Sequence, residues 1–147
     1  MPRRYYTVSE VNRFVPALTR NFTAVLQLRG QMKSIYRRLE EKRFAPRGDE
    51  FEPAVPGAPP EVVRDRTTFK ALIEALKSEL SAIQETGCLI KDLDVGLVDW
   101  YGKSGDREVL LCWRFGETEV AWFHDLEAGF AGRRPVSELV PPRAEVH

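Results

Sequence analysis

The sequence is short of the residues that most readily betray a function. It has two cysteines and two histidines in 147 residues. Cys88 and Cys112 lie in apolar contexts with no CxxC, which argues against a disulfide framework and a cysteine-rich zinc site. A reduced, cytoplasmic chain is the expectation. His147 ends the sequence, so His124 is the one histidine within its body. There is no HxH, HExxH or GxSxG, so the common zinc-hydrolase and serine-hydrolase signatures are missing. No apolar run approaches the roughly 20 residues that span a bilayer, and no membrane partner is expected. The opening MPRRYYTVSEVNRF has no apolar stretch behind its arginines, which speaks against a secretory signal.

What is present is ordinary globular material. Hydrophobic residues make up 43% and charged residues 30%, which argues against disorder. The length suits a single domain over 1–140, with a flexible tail at 141–147. Lys and Arg balance Asp and Glu at 22 each, but unevenly along the chain. Residues 1–44 carry a net charge of +7 and residues 87–147 a net of −4. A basic arm can face nucleic acid, and Arg13, Arg20, Arg38 and Lys42 are the candidates. The plainer reading is that it complements the acidic C-terminal half, within the chain or across a dimer. The basic residues flank an apolar stripe on both sides, which dilutes any single nucleic-acid face.

Apolar spacing predicts the elements. Thr7-Val-Ser-Glu10 fits a capping box, so a short helix is expected over 8–14. A long helix follows with Pro16 in its first turn. Its stripe is Val15, Leu18, Phe22, Val25, Met32, Tyr36 and Leu39, a seam for another helix. Five of the ten prolines fall within 45–60, making a loop expected to be mobile. A second long helix is predicted over 61–86, striped by Val62, Phe69, Ile73, Leu76, Leu80 and Ile83, with Gly87 as its left-handed cap. The two helices should pack antiparallel, and their exposed sides favour a homodimer.

Beyond Gly87 the period becomes two. Leu97–Tyr101, Glu108–Phe115 and Glu119–His124 read as strands. The predicted fold is therefore α+β: a short helix, then an antiparallel helical hairpin packed on a three-stranded antiparallel meander. A two-residue turn at Gly116-Glu117 would set Trp113 opposite Val120, Leu111 opposite Trp122 and Val109 opposite His124. His124 would then end the core face. With a five-residue first loop, Asp99 would lie opposite Val109 on that face, although a one-residue slip would reverse it.

Candidate chemistry gathers in the last sixty residues. His124 with Asp99 or Glu117 suits a mixed histidine–carboxylate metal site. His124 with Asp99 or Asp125 suits acid–base catalysis in a metal-dependent hydrolase-type enzyme. The plainer reading is a histidine bonded to a carbonyl or carboxylate at the core edge. Cys88 or Cys112 could pair with His124 as a thiolate, yet Cys112 falls mid-strand, where structural cysteines are common. Gly129-Phe-Ala-Gly132-Arg133-Arg134 offers turning amides and forked donors for an anion. Its GXXG pattern also occurs in KH RNA-binding loops, although those join two helices. The plainer alternative is a turn whose arginines pair with nearby carboxylates. A small-anion site built from Lys91, Arg114, Gly129, Gly132, Arg133 and Arg134 is the leading expectation, in a binding or assembly protein. No cofactor is indicated.

The motifs Lys91-Asp92-Leu93-Asp94-Val95-Gly96-Leu97-Val98-Asp99-Trp100, Leu111-Cys112-Trp113-Arg114-Phe115-Gly116-Glu117 and Trp122-Phe123-His124-Asp125-Leu126-Glu127-Ala128-Gly129-Phe130 stand together with Tyr6-Thr7-Val8-Ser9-Glu10-Val11-Asn12. As a set they resemble a small bacterial family, domain of unknown function 2203. The resemblance covers nearly the whole chain and implies a cytoplasmic bacterial protein whose polar clusters belong together. It assigns no role to any of them.

Overall fold

A computed structural model describes residues 2–48, 52–53 and 55–141. They fall into two compact units, Met1–Phe22 with Ala82–His147, and Thr23–Ser81. Two long helices, α2 (Val15–Glu41) and α3 (Pro60–Glu85), contribute to both.

The first unit is built on a sheet. Helix α1 (Val8–Asn12) opens with the expected capping box: Thr7 Oγ1 accepts from Glu10 N at 3.1 Å, and Glu10 accepts from Thr7 N at 2.9 Å. Five strands follow rather than three, in the order β1 (Leu89–Asp92), β2 (Leu97–Ser104), β3 (Arg107–Arg114), β4 (Trp122–Asp125) and β5 (Arg134–Pro135). All four pairings are antiparallel. The two strands missed from sequence are short edge pieces of four and two residues, too brief to display an alternating pattern.

Both hairpin registers differ from the expectation. The β2–β3 connection is the tight turn Gly105-Asp106, with Gly105 at φ +60°, not a five-residue loop. Asp99 consequently faces Cys112 instead of Val109. Gly116-Glu117 does not form a two-residue hairpin either. The chain leaves β3 at Arg114 and re-enters the sheet only at Trp122. Trp113 Nε1 donates to Glu117 O at 3.0 Å, and Asn12 Oδ1 accepts from Val120 N at 2.6 Å, so the longer loop is tied down. The pairs become Leu110 with His124, Leu111 with Phe123, and Cys112 with Trp122. This is a slip of one residue, and in a strand such a slip exchanges the faces. His124 and Trp122 leave the helix-facing side, and Phe123 takes their place.

That helix-facing side carries Val98, Trp100, Val109, Leu111, Trp113 and Phe123, all buried. Phe14 stacks on Trp100 with centroids 6.3 Å apart, and Phe22 meets Trp113 at 6.0 Å. Gly96 (φ +71°) lets the β1–β2 turn approach, because a Cβ there would lie 2.5 Å from that of Phe115. Val140, the residue before the expected tail, bonds through its N to Ser104 Oγ at 2.8 Å. Of the expected tail, Pro142–His147 lie outside the described residues.

The second unit is an antiparallel helical hairpin. Tyr36 meets Phe69, Arg38 pairs with Asp65, and Lys42 with Glu61, so partners recede along α3 as α2 advances. Its core is Ile35, Leu39, Val62 and Phe69. Ile35 takes the place expected for Tyr36, which is exposed. The step between Val62 and Phe69 is filled by buried Arg66, which donates to Phe44 O at 2.6 Å and Glu52 O at 2.8 Å. The proline-rich stretch is thus anchored at Phe44 and Glu52; Asp49–Phe51 and Ala54 lie outside the described residues.

Replacing Gly96 by Ala combines the positive φ with the Phe115 contact and should cost about 2 kcal/mol or more in denaturant unfolding. In the hairpin, the Arg38 guanidinium holds the Asp65 carboxyl below its ordinary range. A depressed folded-state value gives stability that is present above the unfolded value and lost as pH falls through the folded one. Asp65→Asn should therefore flatten the acid limb of the stability profile. The effect should stay below about 1 kcal/mol, since Arg38 is half exposed.

Candidate functional site on the outer face of the sheet

Strand alternation sends Asp99, Leu110, Cys112 and His124 to the face opposite the helices. All four are buried, Asp99 to 1% and His124 to 3% exposure. The cover is a strap, Leu126–Arg133, that leaves β4 and returns through a 3₁₀ turn at Phe130–Gly132 into β5. Gly129 (φ +65°) starts that turn, and at Gly132 a Cβ would lie 2.5 Å from the Ala128 Cβ.

His124 Nε2 lies 3.2 Å from Asp99 Oδ2. Its Nδ1 lies 2.7 Å from the carbonyl oxygen of Asp125. A carbonyl only accepts, so Nδ1 carries a proton and Nε2 is the nitrogen aimed at the carboxylate. Asp99 Oδ1 is buried and has no hydrogen-bond partner. The donor atoms of Asp99, Cys112 and His124 all lie within 4.8 Å of one another. Burial, followed by the nearby Asp99 charge, pushes the Cys112 thiol up to about 12. Burial also raises the Cys88 thiol.

Arg133 closes one side. Its guanidinium donates to both Glu117 oxygens at 2.6 and 2.8 Å, and its Nε to Cys112 Sγ at 3.4 Å. It also lies 4.5 Å from the Phe130 ring centre. The other side is open. A pocket of about 220 Å³ reaches Asp99 and His124 past Lys91, Leu126, Glu127 and Phe130. A second pocket of about 260 Å³ shares Leu97 and Phe130 with it and takes in Arg114 and Val95.

The candidate residues thus part company. Asp99 and His124 meet, with Lys91 and Gly129 on the wall of their pocket and Arg114 beside the adjoining one. Asp125 contributes its carbonyl, while its carboxylate faces Arg107 at 3.5 Å. Glu117 is held by Arg133 and by Arg114 N, and is not among the converging donors. The twin arginines diverge: Arg134 pairs with Glu138 at 3.0 Å and lies over Phe123. Among the nucleic-acid candidates, Arg38 and Lys42 are paired with acids of α3, while Arg13 and Arg20 are exposed. Cys112, set aside from sequence as a mid-strand structural thiol, lies with Asp99 and His124. Its spacing gave it a mid-strand place, but only the register reveals Asp99 opposite it.

A five-stranded antiparallel sheet, helix-packed on one side and strapped on the other over a buried polar triad, defines an α+β protein with a recessed site. The chain belongs to the family described as uncharacterized conserved protein (DUF2203), whose model matches residues 4–136. No curated protein and no solved structure matches it. Among the described residues no helix is long and apolar enough to cross a membrane.

The two neighbouring arginines should behave differently. Arg133→Ala strips donors from a half-buried carboxylate and from the Cys112 carbonyl, and should lower unfolding stability by roughly 1–3 kcal/mol. Arg134→Ala breaks an exposed pair and should stay within about 0.5 kcal/mol. Equal losses would show that the strap is not held at Arg133.

Proposed function

We propose that the chain binds a small anionic molecule with an apolar body in the pocket between the strap and the outer face of the sheet. One observation carries the reading: exposed Val95, Leu126 and Phe130 rim two adjoining pockets whose walls include Lys91 and Arg114. A buried acceptor left unmatched costs about 1–3 kcal/mol. The buried Asp99 Oδ1 is such an acceptor, so a donor group on the same ligand would add to its hold. Ordinary packing would have closed the space or paired the atom.

The walls support the rest of the description. Of the six exposed large hydrophobic side chains among the described residues, Val95, Leu126 and Phe130 rim the two adjoining pockets. Such clustering is what a ligand or partner surface looks like. Lys91 stands in the wall of the deeper pocket and Arg114 in that of the shallower one. Set among Asp92, Asp99 and Glu127 in the same walls, these two cations are the points to which a carboxylate or phosphate on the ligand would attach. Arg133 serves the site indirectly, since its guanidinium is spent on Glu117 and Cys112.

Phenylacetate and inorganic phosphate are suitable probes in a thermal-shift titration. Phenylacetate should raise the melting temperature and phosphate should do so less. Lys91→Ala and Phe130→Ala should each weaken phenylacetate by about tenfold, and Arg134→Ala should not. Stabilisation that survives both pocket substitutions would place the ligand elsewhere and end this reading.

A further inference from the structure

Three donors of different chemistry meet at the pocket floor: a carboxylate, a thiol and an imidazole, all buried. Internal pairing accounts for only part of this arrangement. An ion pair between His124 and Asp99 uses Oδ2 and leaves Oδ1 unmatched. The imidazole is fixed in a telling way. Its Nδ1–H is committed to the Asp125 carbonyl, which points Nε2 at the other two donors. Metal-bound histidines are held by this kind of outer bond to a carbonyl or carboxylate.

We propose that Asp99, Cys112 and His124 form a binding site for a divalent first-row transition ion of the zinc type, with one coordination position open to the pocket. The donor set selects the class of ion. Calcium and magnesium prefer all-oxygen shells, whereas thiolate with imidazole and carboxylate suits zinc and its neighbours. The spacing is within reach. Bonds of about 2.0–2.3 Å in tetrahedral geometry set donors roughly 3.3–3.8 Å apart. His124 Nε2 and Asp99 Oδ2 already lie 3.2 Å apart, and the widest separation of 4.8 Å closes with about 1 Å of side-chain movement. Binding would release the Cys112 proton to solvent, with the metal–sulfur bond replacing the S–H bond.

The surroundings fit a charged centre. Arg133 Nε donates to the sulfur at 3.4 Å and is itself anchored on Glu117, so it would act as a positioning residue for the thiolate. Three protein ligands with access from a pocket is the pattern of sites that take a fourth, exchangeable ligand. This inference deepens the pocket reading and rests on it for what occupies the open position. A dication held by Asp99 and the Cys112 thiolate would cancel both negative charges and so ease the approach of an anion to the floor.

The experiment uses the full chain without a polyhistidine tag, stripped with chelator and titrated with Co²⁺ and then Zn²⁺. One Co²⁺ per chain should bind, giving visible bands of tetrahedral cobalt and a near-ultraviolet thiolate-to-cobalt transition. Cys88→Ser should keep that transition and Cys112→Ser should abolish it. Asp99→Asn and His124→Ala should weaken the ion by about 100-fold or more, and Arg133→Gln by about tenfold with a shifted transition. Near-ultraviolet circular dichroism of Trp100 and Trp113 checks that each variant is folded. If one fails to fold, wild type with Cys88→Ser and the near-isosteric Cys112→Ser still decides. No stoichiometric uptake by the wild type, or uptake indifferent to Cys112→Ser, overturns the proposal. Phenylacetate binding measured in chelator is a separate readout, so loss of the metal site and loss of the pocket are told apart.

Discussion

The structure depends on β3 being buried on both faces. Val109 to Trp113 are five consecutive buried residues at the centre of the sheet. A strand of this kind must be covered twice. On one face the cover is aromatic and comes from Phe14 and Phe22, packed on Trp100 and Trp113. On the other face no helix of this unit is free, and the chain uses its own return strap. The outer cover is therefore thin, made of a 3₁₀ turn and a two-residue strand. Its main fastening is a side-chain contact, Arg133 to Glu117. A thin cover over a polar floor leaves room beside it, and the pocket is that room.

Electrostatics and packing are joined at one sulfur atom. Cys112 Sγ lies between the Asp99–His124 pair and the Arg133–Glu117 pair. The two pairs share a face of the sheet because Cys112 is opposite Asp99 on one side and Trp122 on the other. In a low-dielectric setting, charges of both signs this close act on one another strongly. Among the described residues, Asp99 Oδ1 is the buried side-chain acceptor without a hydrogen-bond partner, and Asp99 lines the pocket.

Most of the architecture was legible in the residues. The capping box at Thr7, the stripes of α2 and α3 and the positive φ of Gly87 follow from local rules that a single segment obeys. The registers were less accessible, because they depend on how the connections close. Asn12, from α1, holds the loop before β4 through Val120 N, a bond 108 residues apart in sequence. No local pattern announces it, and it sends His124 to the outer face. The meeting of Asp99 with His124 was open to sequence reasoning through shared parity, whereas Cys112 required the true turn at Gly105-Asp106. The fate of the twin arginines was also hidden, since Arg133 ends the 3₁₀ turn over Phe130 while Arg134 opens β5 over Phe123.

The strap lies late in the chain, after every group it covers. During synthesis the carboxylate, thiol and imidazole are all available before Gly129 and Arg133 emerge to roof them. Laying down the floor and roofing it can thus be successive events in time, governed by the order in which a ribosome delivers the parts.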